Sequence, residues 1–180
     1  MPGTRSDSFI PARHVLFDQA GLKLSDRVPG TARHLDDALL QPTRVYVGAI
    51  QALWAAGVEP RGLVNISGGG LLNLGRLAAD VSYELDALPP PPPVFGLIAE
   101  AGGVSAATMY ATFNMGTGFA IVVPAARQQA AMAALKSVGE DPARVGWVTG
   151  RPARAVSVPS AGIRGRGDTF EAVLSPRVRP

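Results

Sequence analysis

RGLVNISGGGLLNLGRL, residues 61–77, is the stretch that decides how this chain is interpreted. The apolar run at residues 61–67 predicts a short buried strand, which leads into Gly68, Gly69 and Gly70, and the spacing that follows predicts a helix. Glycines allow positive φ and let backbone N–H groups converge. At the start of a helix, such groups and the helix dipole favour an anion, with the Ser67 hydroxyl as a further donor. A tight turn explains the glycines equally well, because the pattern is neither a Walker loop nor a dinucleotide fingerprint.

A second glycine-bearing loop, TFNMGTG, occupies residues 112–118. Asn114 offers both a donor and an acceptor, and Gly116 and Gly118 allow another chain segment or a ligand to approach closely. An apolar strand is predicted directly after it, at residues 119–123. From these residues alone, a turn that begins the strand is favoured over a binding loop.

Composition places the chain among globular proteins. It has 180 residues, 47% of them hydrophobic and 17% charged, which fits one domain with an adequate core. No apolar run is long enough for a membrane span, and the N-terminus lacks the apolar core of a signal peptide, so we expect a cytoplasmic protein with no membrane partner. Cysteine is absent and only His14 and His34 are present, so no metal site is expected.

The positive charge is concentrated near the C-terminus. Residues 151–180 contain six arginines against Asp168 and Glu171, whereas the whole chain carries +3. Only Phe170 accompanies these arginines, and nucleic-acid binders usually combine a basic face with stacking aromatics. We therefore expect a solvated, loosely held Pro/Gly/Arg-rich tail and no nucleic-acid partner.

The predicted elements alternate between helices and strands. Helices are expected at residues 31–40, from Thr43 to Gly57, at residues 94–103, at residues 105–113 and at residues 125–138, and further strands at residues 81–88, 145–150 and 169–174. Five consecutive prolines, residues 89–93, are interpreted as a stiff connector in preference to a ligand for a proline-recognition domain. The fold class is therefore α/β (α+β), a single domain with a mixed β-sheet packed against helices. We expect an irregular N-terminal segment at 1–30, a core at 31–150 and the tail at 151–180.

Familiar catalytic patterns are absent. The sequence has no GxSxG elbow, no HExxH and no paired cysteines, and its acidic residues are scattered. The catalytic residues therefore stay unknown at this stage.

Four segments, in consistent order and spacing, resemble one family. They are ALLQPTRVYV (38–47), GLVNISGGGLLNLGRL (62–77), PPPVFGLIAEAGGVSAATMYATFNMGTGFAIVVP (91–124) and VGWVTG (145–150). The series is similar to the C-terminal domain of phosphoribosylformylglycinamidine cyclo-ligase (AIR synthetase), and the resemblance covers residues from about 6 to 150.

The resemblance implies a two-domain enzyme of purine biosynthesis. Its N-terminal domain binds ATP with Mg²⁺ and forms much of a homodimer, and its C-terminal domain closes the cleft in which formylglycinamidine ribonucleotide is cyclised to aminoimidazole ribonucleotide. The residues implied to bind the ribonucleotide and its phosphate are Asn65, Ser67, Gly68, Gly69, Gly70, Asn114, Met115, Gly116 and Gly118. The expected partners are the ribonucleotide substrate and an ATP-binding N-terminal domain, on another chain or absent here, so this chain alone is expected to bind no cofactor and to be inactive.

Several positions depart from the family pattern. Asn65 stands where the family has His, Ser67 where it has Thr, Ala111 where it has Arg, and the Glu that follows the glycine loop is missing. A second hypothesis therefore stays open, a non-catalytic, diverged AIR-synthase-related binding or interaction protein. A third is a member of the wider superfamily, such as a selenophosphate synthetase, a thiamine-phosphate kinase or a hydrogenase-maturation protein.

Overall fold

The computed structural model describes residues 11–150 and 154–173. A π-helical turn, His14–Gln19, comes first. The α-helices are α1 (Leu35–Leu39), α2 (Val47–Ala55), α3 (Pro93–Gly102), α4 (Ala106–Thr112) and α5 (Gln128–Ser137). The strands are β1 (Gly62–Asn65), β2 (Ser82–Glu84), β3 (Phe119–Val122), β4 (Trp147–Thr149), β5 (Val156–Val158), β6 (Ile163–Arg166) and β7 (Thr169–Ala172). Short 3₁₀ helices occupy Gly70–Arg76, Ala125–Arg127 and Pro159–Ala161.

The strands form two sheets in place of the single sheet predicted. β1 and β3 pair antiparallel, with Asn65 opposite Phe119. The other strands form a sheet in the order β4-β2-β5-β6-β7, in which only the β2–β5 pair is parallel. The predicted fold class, α+β with mixed pairing and packed helices, is confirmed.

Three apolar clusters make up the core. One joins β1, the 3₁₀ helix Gly70–Arg76 and the five-stranded sheet. The second joins the N-terminal turn to α1, α3 and α4, with Phe95 against Phe113 at a ring-centroid distance of 5.9 Å. The third lies between α2 and α5, where Leu53 is fully buried. Among the described residues, no helix is long and apolar enough to cross a membrane.

The prediction of a loosely held tail is wrong for residues 154–173. β5 pairs with β2, and β6 and β7 extend the same sheet, so the boundary expected at residue 150 does not separate this part from the core. Val156, Val158, Ile163 and Phe170 are buried because alternate residues of these short strands face the core, while the arginines between them stay exposed. A strand does lie within the range 169–174, at Thr169–Ala172. Residues 151–153 and 174–180 lie outside the described ranges.

The N-terminal segment and two helix starts also differ from prediction. Residues 1–10 lie outside the described ranges, and residues 11–19 are helical, with Leu16 fully buried, so the prediction of an irregular segment is wrong for this part. Residues 20–30 contain no helix or strand. α1 begins only at Leu35, because Thr31 instead forms a turn in which its hydroxyl donates to the Val28 carbonyl. α2 begins at Val47, with Tyr46 and not Thr43 at the N-cap.

Candidate functional site

The two glycine-bearing loops meet at one end of the β1–β3 pair. The backbone N–H of Ile66, just after β1, donates to the carbonyl of Gly118, just before β3, at 3.1 Å. The antiparallel register therefore brings residues 65–70 beside residues 114–118. Neither loop carries an ionisable side chain.

The triple glycine combines a turn with a close packing contact. The N–H of Gly70 donates to the Ser67 carbonyl at 2.8 Å, and Gly69 and Gly70 have φ of 101° and 53°. A Cβ atom on Gly70 would collide with the carbonyl oxygen of Tyr110 in α4. The third glycine is therefore required for the approach of α4, which is a packing reason that the sequence pattern did not reveal.

The helix after the glycines is not the α-helix that the spacing predicted. It is a 3₁₀ helix of seven residues, Gly70–Arg76, in which Leu71, Leu72 and Leu74 are buried. Its apolar spacing fills the core, and a helix this short contributes little dipole. An anion at this loop would therefore be bound by local donors and not by a helix terminus.

Asn73, which sequence reasoning missed, holds the glycine loop through hydrogen bonds from its side chain. It is 3% exposed, and its amide nitrogen donates to the Asn65 carbonyl at 3.2 Å and, at 3.4 Å, to the Ser67 hydroxyl. Its Oδ1 atom is buried and has no hydrogen-bond partner. Asn65 itself is exposed, and Ser67 is half-buried. Only the asparagine after the glycines could have signalled this role, and an asparagine in a helical pattern usually indicates a surface residue.

The second loop is held mainly by its own contacts. Asn114 is 2% exposed. Its side-chain Oδ1 atom accepts a hydrogen bond from the Gly116 N–H at 3.2 Å, and its backbone carbonyl accepts one from the Thr117 N–H at 2.8 Å. Met115 has φ of 48°, and Gly116 has φ of 88° and lies against Pro92 of the proline run, which connects β2 to α3. The Asn114 side chain thus shapes the loop around its own backbone.

A cavity of about 660 Å³ adjoins the second loop but not the first. Met115, Gly116 and Gly118 line it, together with residues of β3, β4 and α5, while Asn65 and the residues from Ser67 to Gly70 do not. Its walls are mainly apolar, and they include Arg44 and Glu140, whose side chains form an ion pair at 3.1 Å. The nine predicted site residues therefore lie on two adjacent surfaces and not in one cavity.

The ionisable groups of the site line the cavity and not the two loops; they include Arg44, Tyr83, Glu140, Asp141 and Arg144. Burial raises the pKa of Tyr110, which packs beside Gly70, and likewise raises the pKa of Tyr83, which lines the cavity. Within residues 11–150 and 154–173, no group of three or more His, Asp or Glu side chains converges to hold a metal ion.

Fold and site together define a mixed α/β domain that presents two glycine-bearing loops side by side. The chain belongs to the family described as AIR synthase related protein, C-terminal domain, which matches residues 7–159. The resemblance found in the sequence is confirmed.

Two relatives share one name, phosphoribosylformylglycinamidine cyclo-ligase. This chain is 46% identical over 121 residues to the protein of that name from Methanothermobacter thermautotrophicus, and the match covers 67% of this chain and 36% of that protein. It is 39% identical over 151 residues to the one from Bifidobacterium animalis subsp. lactis, and the match covers 81% of this chain and 43% of that protein. The chain thus spans less than half the length of these relatives.

A solved structure supports the fold. The crystal structure of tt0281 from Thermus thermophilus matches with a TM-score of 0.52 and 22% identity, covering 88% of this chain and 49% of that one. At this identity the likeness shows the fold alone.

Proposed function

We propose that this domain is the substrate-side part of a phosphoribosylformylglycinamidine cyclo-ligase. It binds the ribonucleotide, and an ATP-binding N-terminal domain supplies the nucleotide that drives ring closure to aminoimidazole ribonucleotide. The observation that carries the proposal is the Ile66–Gly118 hydrogen bond, because it holds two glycine-bearing loops side by side in a chain of this family.

The chemistry of the loops supports binding more than acid–base catalysis. Residues 65–70 and 113–118 contain no ionisable side chain, so they offer backbone N–H groups, hydroxyls and amides. Such groups position a phosphate or a sugar but do not transfer protons at neutral pH. Reaction chemistry is therefore assigned to the complete two-domain assembly, and these residues alone are expected to show no turnover.

Titration of formylglycinamidine ribonucleotide by calorimetry tests the binding proposal. The test variant is Gly69→Ala, because a Cβ atom there would lie 2.7 Å from Asn73 Oδ1 and 3.1 Å from Arg76 Nη2 and would disturb both. The control is Gly30→Ala, at φ of 72° with no atom within 4 Å of the added methyl group, which imposes similar backbone strain away from the site. We expect about tenfold weaker binding for Gly69→Ala only. Equal affinity of both variants would contradict the assignment of the loop.

Reconstitution with an ATP-binding domain distinguishes the cyclo-ligase from the non-catalytic alternative. The same absence of ionisable loop side chains also suits a domain that binds without taking part in a reaction. The chain is mixed with the ATP-binding domain of a relative, ATP and Mg²⁺, and aminoimidazole ribonucleotide is measured. Product formation supports the cyclo-ligase, while ribonucleotide binding without product in a folded, associated mixture supports the alternative.

The proposal includes an oligomer, with a homodimer as its simplest form. Large apolar side chains are exposed close together in sequence, with Leu40 at 66%, Val45 at 77%, Val47 at 61% and Trp54 at 59% exposure. Apolar surfaces of this kind usually mark an interface. Sedimentation equilibrium of the wild type and Trp54→Ser tests this: the variant is expected to associate more weakly, and a monomeric wild type would rule out the homodimer.

A further inference from the structure

Asn73 holds an unpartnered hydrogen-bond acceptor beside the triple glycine. Its amide nitrogen is directed at the Asn65 carbonyl and the Ser67 hydroxyl. Reversing the amide would set its oxygen against the Asn65 carbonyl oxygen, so the hydrogen bonds fix which atom faces the loop. The atom that faces Gly69 is therefore Oδ1, in a residue only 3% exposed. An acceptor left unsatisfied in this way is costly unless a ligand or water supplies a hydrogen.

Arg76 places a cation next to the same point. Its Nη2 atom lies 3.1 Å, and Asn73 Oδ1 2.7 Å, from the position that a Cβ atom on Gly69 would take. Among the described residues Arg76 forms no ion pair, and the residue is exposed, whereas Asn73 Oδ1 is enclosed. A guanidinium donor and a neutral acceptor thus lie on the same side of Gly69, and a ligand would reach the acceptor only by displacing the neighbouring side chain.

We propose that Arg76 and Asn73 make the glycine loop selective for an oxyanion that carries its own hydrogen, such as a P–OH phosphate, over one that carries none. The proposal rests on the phosphate-binding role of this loop given above. Arg76 donates to a charged oxygen, and Asn73 Oδ1 accepts from the hydroxyl on the same phosphorus. Sulfate at neutral pH would set an oxygen against Oδ1 and leave the acceptor unsatisfied.

A sugar hydroxyl next to the phosphate is the other source of the same hydrogen. At neutral pH inorganic phosphate carries its own hydroxyl, whereas a phosphate monoester, with a second pKa of about 6, is mainly a dianion without one. The anion's own hydroxyl is therefore the source for inorganic phosphate, and the sugar hydroxyl is the source for a ribonucleotide. Two pairs of ligands distinguish the sources. Inorganic phosphate and sulfate differ in the hydrogen on the anion, and ribose 5-phosphate and methyl phosphate differ in the sugar hydroxyls.

The experiment is isothermal titration calorimetry of the full chain at neutral pH and constant ionic strength. Inorganic phosphate is expected to bind the wild type at least about tenfold more tightly than sulfate. Arg76→Gln is expected to weaken phosphate binding by about tenfold. The matched control Arg61→Gln removes the same charge from an exposed position beside the other end of β1 and is expected to change neither affinity.

Asn73→Leu tests the acceptor itself and is expected to bring the ratio of phosphate to sulfate affinity close to one. Arg76→Gln leaves the acceptor in place, so it is expected to weaken the binding of both anions while preserving the preference for phosphate. If Asn73→Leu does not fold, the wild-type ratio and the ratio for Arg76→Gln decide the question.

Each outcome has one meaning. Tighter binding of phosphate than of sulfate that depends on Asn73 supports the proposal. A preference for ribose 5-phosphate over methyl phosphate that is lost in Asn73→Leu also supports it, and identifies a sugar hydroxyl as the source of the hydrogen. Equal binding of phosphate and sulfate with equal binding of the two esters overturns the proposal, yet leaves the loop as a phosphate site. Absence of binding by phosphate, ribose 5-phosphate and the ribonucleotide overturns both this proposal and the proposed function.

Discussion

Replacing Gly70 by alanine should destabilise the domain much more than the same change at Gly30. Both glycines have positive φ, 53° and 72°, so an alanine at either position is strained by about 1–2 kcal/mol. At Gly30 the added methyl group meets no atom within 4 Å, but at Gly70 it would overlap the Tyr110 carbonyl and lie 2.9 Å from the Phe113 carbonyl oxygen. These are backbone atoms that cannot rotate away, and forced overpacking of this kind costs a further 1–3 kcal/mol or so.

Urea unfolding followed by circular dichroism measures the difference. Since the slope of unfolding free energy with urea is about 1–3 kcal/mol per molar, an extra cost of about 2 kcal/mol lowers the midpoint by roughly 1 M relative to Gly30→Ala. The slope itself should be the same for both variants, because each unfolds the same surface. Equal midpoints for the two variants would refute the argument that α4 rests on Gly70.

Three further predictions concern the core, a cap and a titration. Leu53→Ala removes a fully buried side chain between α2 and α5, so it should lower the free energy of unfolding in urea by about 3 kcal/mol. Gln51→Ala, at an exposed position of the same helix, should change it by no more than about 0.5 kcal/mol. Similar losses for the two variants would contradict the assignment of a buried and an exposed face to α2. Ser105→Ala removes the N-cap hydroxyl that accepts from the Thr108 N–H at 3.2 Å and should lower the free energy of unfolding by about 1 kcal/mol, so an unchanged midpoint would show that the cap contributes nothing. Burial raises the pKa of Tyr110 above its ordinary value of 10.0, so the folded state holds this proton longer, and the contribution of Tyr110 to the free energy of unfolding should be constant below about pH 10 and fall above it. Tyr110→Phe should reduce that fall, as measured by urea unfolding across this pH range, and an unchanged slope would exclude Tyr110 as its source.

The sequence predicted those elements whose periodicity is set by one buried face. In α2, Ala49 and Leu53 of the apolar repeat are buried, whereas Trp54 of the same repeat is exposed. Tyr83 in β2 and Leu85 just after it are buried, in line with the alternation in the sequence. The start of α2 was misplaced because Thr43 resembles a cap, whereas the chain turns into the helix only at Tyr46. Capping composition indicates that a helix is near but does not fix its first residue.

Strands β5 and β6 were missed because their composition conceals their pattern. In IRGR the second inward position is Gly165, which lacks the apolar side chain that would mark a core face. It must be small, because a Cβ atom there would lie 2.6 Å from the Thr169 carbonyl oxygen and 2.7 Å from Leu72. With no apolar side chain at that position, the neighbouring arginines make the segment resemble a solvated tail.

The site was predicted as a set of loops but not as a geometry. The family resemblance identified both loops, and the β1–β3 register joins them. The buried contact of Gly70 with α4 depends on Tyr110, which is distant in the chain, and the orientation of Asn73 depends on how the glycine turn folds back onto Asn65 and Ser67. Residue spacing encodes neither. Tertiary contacts of this kind decide which polar atoms are already satisfied and which face a ligand.

The parallel pairing of β2 with β5 has a consequence for the order in which the chain folds during synthesis. β2 can pair with β4 as soon as residue 149 has emerged from the ribosome, but its other edge is completed only when Val156 and Ser157 arrive. Until then one edge of β2 has open backbone groups, which is the type of edge that recruits other chains. The arrival of β5 is therefore a late closing step for this sheet, and we expect newly made protein to be most prone to aggregation just before β5 is added.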